Sequence, residues 1–291
     1  MGIRTREAGR WAEALRLADE LVAFMELRSS SPPRLSREEL ALALAAVRVR
    51  HGIEPAEALR RLRAAALVRA AEVDNAEVVE ALLKQGVDPN ARVGGWTPLL
   101  RAVSFGARRT ARLLLERGAD PNARGPGGDT PLHEACRALD FQLAMLLLER
   151  GADPSAANER GETPLHALAD ALGDFPCLDD CESLVRLMLR SGADPHAFSE
   201  ELATPFLLAW QSGNRNLLRL LSSAVDKRDA GWVYYRKLKE LEEAGLAGSE
   251  RAALLKQALE ELFLEHLVEY ERRYRQGEGG GKKKAVEKER R

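Results

Sequence analysis

Thr130-Pro131-Leu132-His133-Glu134-Ala135 decides the fold. Its first four residues return unchanged as Thr163-Pro164-Leu165-His166. They return with one change as Thr97-Pro98-Leu99-Leu100, and with two as Thr204-Pro205-Phe206-Leu207. The threonines are spaced 33, 33 and 41 residues apart. A second word keeps step with the first: Gly86-Val87-Asp88-Pro89, Gly118-Ala119-Asp120-Pro121, Gly151-Ala152-Asp153-Pro154 and Gly192-Ala193-Asp194-Pro195, at spacings of 32, 33 and 41. Both words stretch in the same unit, so the register belongs to one internal repeat.

Each word has a physical reading. Thr before Pro starts a helix: the hydroxyl caps free backbone N–H groups, and Pro fits the first helical position, where its missing N–H is not needed. Leu and Ala then point inward. About ten residues later a second Leu-rich stripe begins, as in Arg109 to Arg117 and Asp140 to Arg150. Gly118, Gly151 and Gly192 suit left-handed C-terminal caps, and Asp-Pro cannot continue the helix. Each unit is therefore a turn and two short antiparallel helices. None buries its apolar stripe alone, and stacking solves that.

At this point the sequence resembles the ankyrin repeat. Thr130-Pro131-Leu132-His133-Glu134-Ala135 carries that family's T-P-L-H-x-A word at every fixed position, and the period agrees. The implied fold is an all-α ankyrin-repeat solenoid of about five helix-turn-helix/β-turn repeats, with helical flanks at both ends. The repeats take residues 67–229, as 67–92, 93–124, 125–158, 159–199 and 200–229. The first lacks Thr-Pro and the last loses the Gly-Ala-Asp word. Leu100 and Leu207 replace the expected His, which predicts less rigid turns there.

Residues 1–66 are expected to form an N-terminal helical cap region. An amphipathic helix over 5–28 is followed by a break at Ser29-Ser30-Ser31-Pro32-Pro33. Helices follow over 36–50, where Ser36 and Glu39 make a start signal, and over 55–66. Residues 230–275 are expected to form a C-terminal helical region near 230–244 and 249–275. It reads as a cap for the array or as a partner-binding module. Residues 276–291, ending in a Gly-rich and Lys-rich run, read as a disordered basic tail.

Composition narrows the function classes. The 291 residues carry 44 basic and 45 acidic side chains, a net charge of −1, which argues against a nucleic-acid-coating protein. The charge is uneven: +4 over residues 1–70, −7 over 71–229 and +2 over 230–291. No window is apolar enough for a membrane span, and the N-terminus lacks the apolar centre of a secretory signal. Three cysteines, Cys136, Cys177 and Cys181, do not make a disulfide framework, so the expectation is a cytoplasmic, reduced protein. Delivery as an effector without a cleaved signal stays open.

The residues that tempt an enzymatic reading have structural explanations. His133 and His166 sit inside the repeat word, where the resemblance implies that they tie adjacent turns together. His196 stands in a turn, and His51 and His266 have no evident partner in sequence. Cys177 and Cys181 lie in an eight-residue expansion, with Cys181 starting a helix. A zinc site wants more ligands at tighter spacing, so no metal is expected. Cys136 reads as a small buried hydrophobe. Gly277 to Lys282 is not a phosphate loop, because Lys283 stands where Ser or Thr is needed. Arg60, Arg61 and Arg63 would belong to a helix-turn-helix pair, but side chains that read bases are missing beside them. Neither a cofactor nor catalysis is expected.

The resemblance implies protein recognition through a concave surface made by the turn tips and the exposed side of the first helices. The tips carry Arg92, Val93, Trp96, Arg124, Asp129, Asn158, Arg160, Glu162, Phe198 and Glu200. The first helices carry Arg101, Phe105, Glu134, Arg137, Asp170, Leu208 and Gln211. Aromatic and Arg side chains are the usual anchors, and Trp96, Arg101 and Phe105 are the best local cluster. Trp210 replaces a small buried residue and is expected to meet the C-terminal helices. Asp174, Asp179 and Asp180 in the expansion favour a partly basic patch on the partner. The expected function is a monomeric, non-catalytic adaptor. The alternatives are a helical effector or toxin-type enzyme targeted by its repeats, and a nucleic-acid or anionic-membrane accessory using its basic ends.

Overall fold

The computed structural model describes residues 16–25, 37–177, 179–223 and 227–276. The expectations for residues 5–15, for the break and helix start within 26–36, and for the tail 277–291 lie outside the described residues. Among the described residues the protein is all-α, with no β-strand and one isolated bridge between Val93 and Trp96. Its contacts divide the chain into two units, Met1–Glu159 and Arg160–Arg291.

In the first unit, α1 (residues 16–25) and α2 (Arg37–His51) pack with α3 (Pro55–Glu72). Ala18, Val22, Met25, Ala46, Val47 and Ala58 form one buried cluster, and Phe24 joins Ala65, Val68 and Val93 in another. His51, without a partner in the sequence reading, pairs with Asp19 of α1 at 2.9 Å. Helix α3 runs unbroken through position 66, where the sequence reading ends the cap. Its apolar stripe serves both sides: Ala58 packs with α1 and α2, and Ala65 and Val68 pack with Phe24 of α1 and with Val93 of the next repeat.

Helix pairs follow: α3 with α4 (Ala76–Lys84), α5 (Pro98–Ser104) with α6 (Arg108–Glu116), and α7 (Pro131–Arg137) with α8 (Phe141–Glu149). First helices stack on first helices, α3 against α5 and α5 against α7, and the second helices α4 and α6 meet as well. The words act as read. Thr97 Oγ1 accepts from the Leu100 N–H at 3.2 Å. Thr130 donates its backbone N–H to His133 Nδ1 at 3.1 Å, which holds the imidazole inside its own turn. Gly118 adopts φ +85° after α6, and the Ala119 N–H closes on the Leu114 carbonyl at 2.9 Å.

The Asp-Pro word closes turns and links repeats. Asp88 Oδ1 accepts from Asn90 N–H at 2.9 Å, and Asp120 Oδ1 from Asn122 N–H at 2.8 Å. Asn90 then reaches the next repeat, donating to the Gly118 carbonyl and accepting from the Asp120 N–H. Asn122 repeats this with Gly151 and Asp153. A side-chain amide, both donor and acceptor, is what this double stitch needs.

One cap comes from an unexpected place. Asn75 and Asp140 cap α4 and α8 through the third helical N–H. In α6 that N-cap is Ala107, which has no side-chain acceptor. Asp74, a repeat earlier, supplies it: its Oδ1 accepts from the Thr110 N–H at 2.9 Å. Asp74→Ala is expected to cost about 1 kcal/mol, the worth of an N-cap, and to speed amide exchange at Thr110. Asp74→Asn should retain most of both. Urea unfolding with exchange at Thr110 checks this, and an unchanged Thr110 amide in Asp74→Ala would refute it.

In the second unit, α9 (Pro164–Leu172) and α10 (Asp179–Arg190) precede α11 (Pro205–Gln211) and α12 (Arg215–Ser222). Thr163 donates its N–H to His166 Nδ1 at 3.0 Å, so Nε2 carries the proton and donates to the Ala203 carbonyl at 3.1 Å. His166 thus ties two turns together, and burial lowers its pKa. The expansion falls between α9 and α10, as the word spacing implies.

Helices α13 (Lys227–Glu243), α14 (Glu250–Leu262) and α15 (Leu267–Arg275) end the described chain. The single helix expected over 249–275 is broken at Phe263. That residue leaves helical geometry, is buried, and packs against Phe206 and Tyr234. Phe206 of the last repeat meets rings of the C-terminal helices, and Trp210 is half-buried. Tyr234 fills the place left by the missing His of the Thr204 turn. Its hydroxyl lies 3.0 Å from Thr204 Oγ1 and 2.5 Å from His196 Nδ1. Trp232, Tyr235 and Tyr270 pack together beneath.

Candidate protein-binding surface

Trp96, Arg101 and Phe105 come together as the sequence suggests. Trp96 precedes the cap of α5, Arg101 lies one turn in, and Phe105 closes the helix four residues later, a spacing that puts both on one face. The Arg101 guanidinium carbon sits 4.6 Å from the Trp96 ring centre and 5.2 Å from that of Phe105. Such cation–π contacts are each worth about 0.5–2 kcal/mol and fix the planes of the groups involved. Phe105 remains 54% exposed, one of the few large apolar side chains so presented. Trp96 is half-buried.

Two residues outside the sequence candidates complete the cluster. Glu72, the last residue of α3, lies 3.6 Å from Arg101 Nε and 3.0 Å from Arg69. The sequence signal was available: Glu72 stands one period before Phe105, so it ends the preceding first helix at the same place. The carboxylate lies between the two arginines, hydrogen-bonded to Arg69 and in a longer ion pair with Arg101.

The other candidates separate into groups. Arg92 donates to the Arg124 carbonyl at 2.8 Å, and Arg124 to the Ala157 carbonyl at 2.6 Å. These arginines join one turn to the next. Asp129 accepts from Arg137 at 3.1 Å and from Asn158 at 2.9 Å, and Glu134 accepts from Arg137 at 3.0 Å. This network lies on the first-helix side of its repeat, with one arginine shared by two carboxylates. Val93 is buried in the core under Phe24 rather than displayed at a tip.

In the second unit, Arg160 pairs with Glu162 at 2.7 Å, and Asp170, Glu200 and Gln211 are exposed. Leu208 is half-buried. Phe198 leans edge-on against Tyr234, with Lys237 Nζ 6.0 Å above its ring, so it helps to seat α13. Asp174, Asp179 and Asp180 are exposed around the expansion.

The cysteine expectation is corrected in part. Cys136 is fully buried, and burial pushes its thiol up to about 12, as a small core residue should behave. Cys177 and Cys181, expected to be reduced, are joined as a disulfide. An odd total obscured a pair whose four-residue spacing bridges the end of the expansion and the first turn of α10. His196 is more than a turn residue. It is buried beside Tyr234 and Phe206, and burial lowers its pKa to about 4 against the opposing pull of Asp194.

Family models for ankyrin repeats match residues 43–125 (three copies), 114–167 (many copies) and 160–199 (a single repeat). Together they take in more than half of the sequence, and the chain belongs to the ankyrin repeat family. Its fold is the all-α ankyrin solenoid. Ankyrin repeats are in general protein-interaction modules and typically non-catalytic. A comparison with curated proteins finds no match. No helix among the described residues is long and apolar enough to cross a membrane.

Proposed function

We propose that this chain is a non-catalytic adaptor that binds another protein through the face made by its turn tips and first helices, with Trp96, Arg101 and Phe105 as the anchor. The observation that carries the reading is Phe105. An aromatic ring 54% exposed, beside an arginine already fixed by Trp96 and Glu72, is a preorganised contact. Trp and Arg are the residues most often found to dominate binding energy. Glu134 and Arg137 extend the face as a polar rim. Arg92 and Arg124 hold the turns that present it. In the second unit, Arg160, Glu162, Asp170 and Gln211 are further contact candidates. The carboxylates of the expansion favour a partner with a partly basic patch, so association should slow as salt rises.

Affinity capture from native lysate, read by mass spectrometry, tests the reading. Wild type and Trp96→Ala/Phe105→Ala are compared after circular dichroism shows equal helicity. A discrete protein recovered by wild type and reduced at least tenfold in the variant is expected. Equal recovery by both would remove these residues from the site. Turnover of a captured protein would replace the adaptor by an enzyme.

A further inference from the structure

We propose that Cys177 and Cys181 form a reversible redox site, which reacts by thiol–disulfide exchange with a dithiol reductant and sets the order of residues 173–177. The pair has no competitor within its reach of chemistry: Cys136, the third cysteine, is wholly buried with its thiol pushed up to about 12, so it supplies little thiolate for scrambling. The disulfide ties Cys177, at the end of the expansion, to Cys181 in α10.

At the other end the expansion is tied by hydrogen bonds from a single side chain. Asn214, the N-cap of α12, donates its amide to the Gly173 carbonyl at 3.0 Å and to the Phe175 carbonyl at 2.8 Å. Its oxygen meanwhile accepts from the Leu217 N–H. Between these two ties the segment exposes what a core would bury: Phe175 is 69% exposed, beside the exposed Asp174. A short segment with an outward aromatic ring draws little order from packing. On the Cys177 side the constraints are the covalent tie and the burial of Cys177 itself.

The chemistry balances without a further reactant. One thiolate of the dithiol attacks a sulfur of the pair, forming a mixed disulfide and expelling the other cysteine as thiolate, which takes up a proton. The second thiol of the reductant displaces the first cysteine, and the dithiol leaves as its own disulfide. Two electrons and two protons reach the pair. Both cysteines are buried, so the attack waits for the segment to open and the exchange is slow.

The test uses the full chain equilibrated across dithiothreitol ratios, reduced to oxidised. Alkylatable thiols are counted by mass spectrometry, and amide exchange is followed in parallel. Oxidised protein should show two fewer alkylatable thiols than reduced protein, and the change should reverse. Reduction should raise exchange at least tenfold in peptides covering residues 173–183, with residues 97–150 unchanged. Cys177→Ser/Cys181→Ser should match the reduced profile at every ratio. Three alkylatable thiols in unfolded samples at all ratios would overturn the proposal. So would a reversible disulfide whose two states exchange alike.

Discussion

Lowering the pH from 6.5 to 4 is expected to weaken the second unit by about 3 kcal/mol through His196 alone, because burial holds its folded pKa at about 4, well below the ordinary 6.5. The sign follows from linkage. An exposed histidine titrates near 6.5, whereas folded His196 resists protonation until about 4. Between those values the unfolded chain binds a proton that the folded chain refuses, so stability is full above pH 6.5 and falls as pH drops toward 4. The geometry gives the reason. The Tyr234 hydroxyl keeps its proton throughout this range, as any phenol does, and beside a neutral His196 that accepts at Nδ1 it is the donor, with Thr204 Oγ1 as its other neighbour. A proton on Nδ1 would face that donor and break the chain of hydrogen bonds that seats α13 on the last repeat. His166 adds to the fall in the same direction. Urea unfolding followed by Trp fluorescence at several pH values, in wild type and His196→Gln, checks this. The variant should start weaker and lose much less on acidification. Parallel pH profiles would refute the assignment.

Gly231→Ala is expected to destabilise the C-terminal helices, although alanine is the better helix former. Removing glycine from the interior of α13 should gain up to about 1 kcal/mol. Against that, an added Cβ would lie 2.8 Å from two ring carbons of Tyr270 and closer still to its hydroxyl. Tyr270 is fully buried, with Trp232, Tyr235 and His266 around it at 6.0 to 6.3 Å between ring centres. The ring has nowhere to retreat, and overpacking of this kind costs about 1–3 kcal/mol. With the full gain subtracted, the net loss should be up to about 2 kcal/mol, with Trp232 fluorescence shifting red as α15 loosens. A raised melting temperature would show that Tyr270 moves freely.

The repeat words made most of the fold legible, because each word closes its own hydrogen bonds. Thr-Pro carries its cap, Gly its reversed φ and Asp its turn, and all act within five residues. The Trp96–Arg101–Phe105 cluster was legible for the same reason: one helix face holds it. What escaped depends on partners far along the chain. Arg92 and Arg124 carry the right chemistry for an interface, yet each meets a carbonyl one period later, which composition does not reveal. Asp74 reaches Thr110 because the nearer cap is Ala107, a vacancy visible only once the repeats are stacked. Tyr234 replaces a missing His from another helix altogether. The break at Phe263 follows from that helix needing a ring against Phe206, not from any residue that stops helices.

The most direct test of the adaptor account is a binding titration with the captured partner against three forms of the chain. Trp96→Ala/Phe105→Ala alters the proposed face. Arg109→Ala/Arg112→Ala alters two exposed arginines on α6, a second helix. The account predicts a Kd raised at least tenfold by the first pair and unchanged within twofold by the second. Equal Kd values for wild type and Trp96→Ala/Phe105→Ala, or the larger loss from the α6 pair, would contradict it.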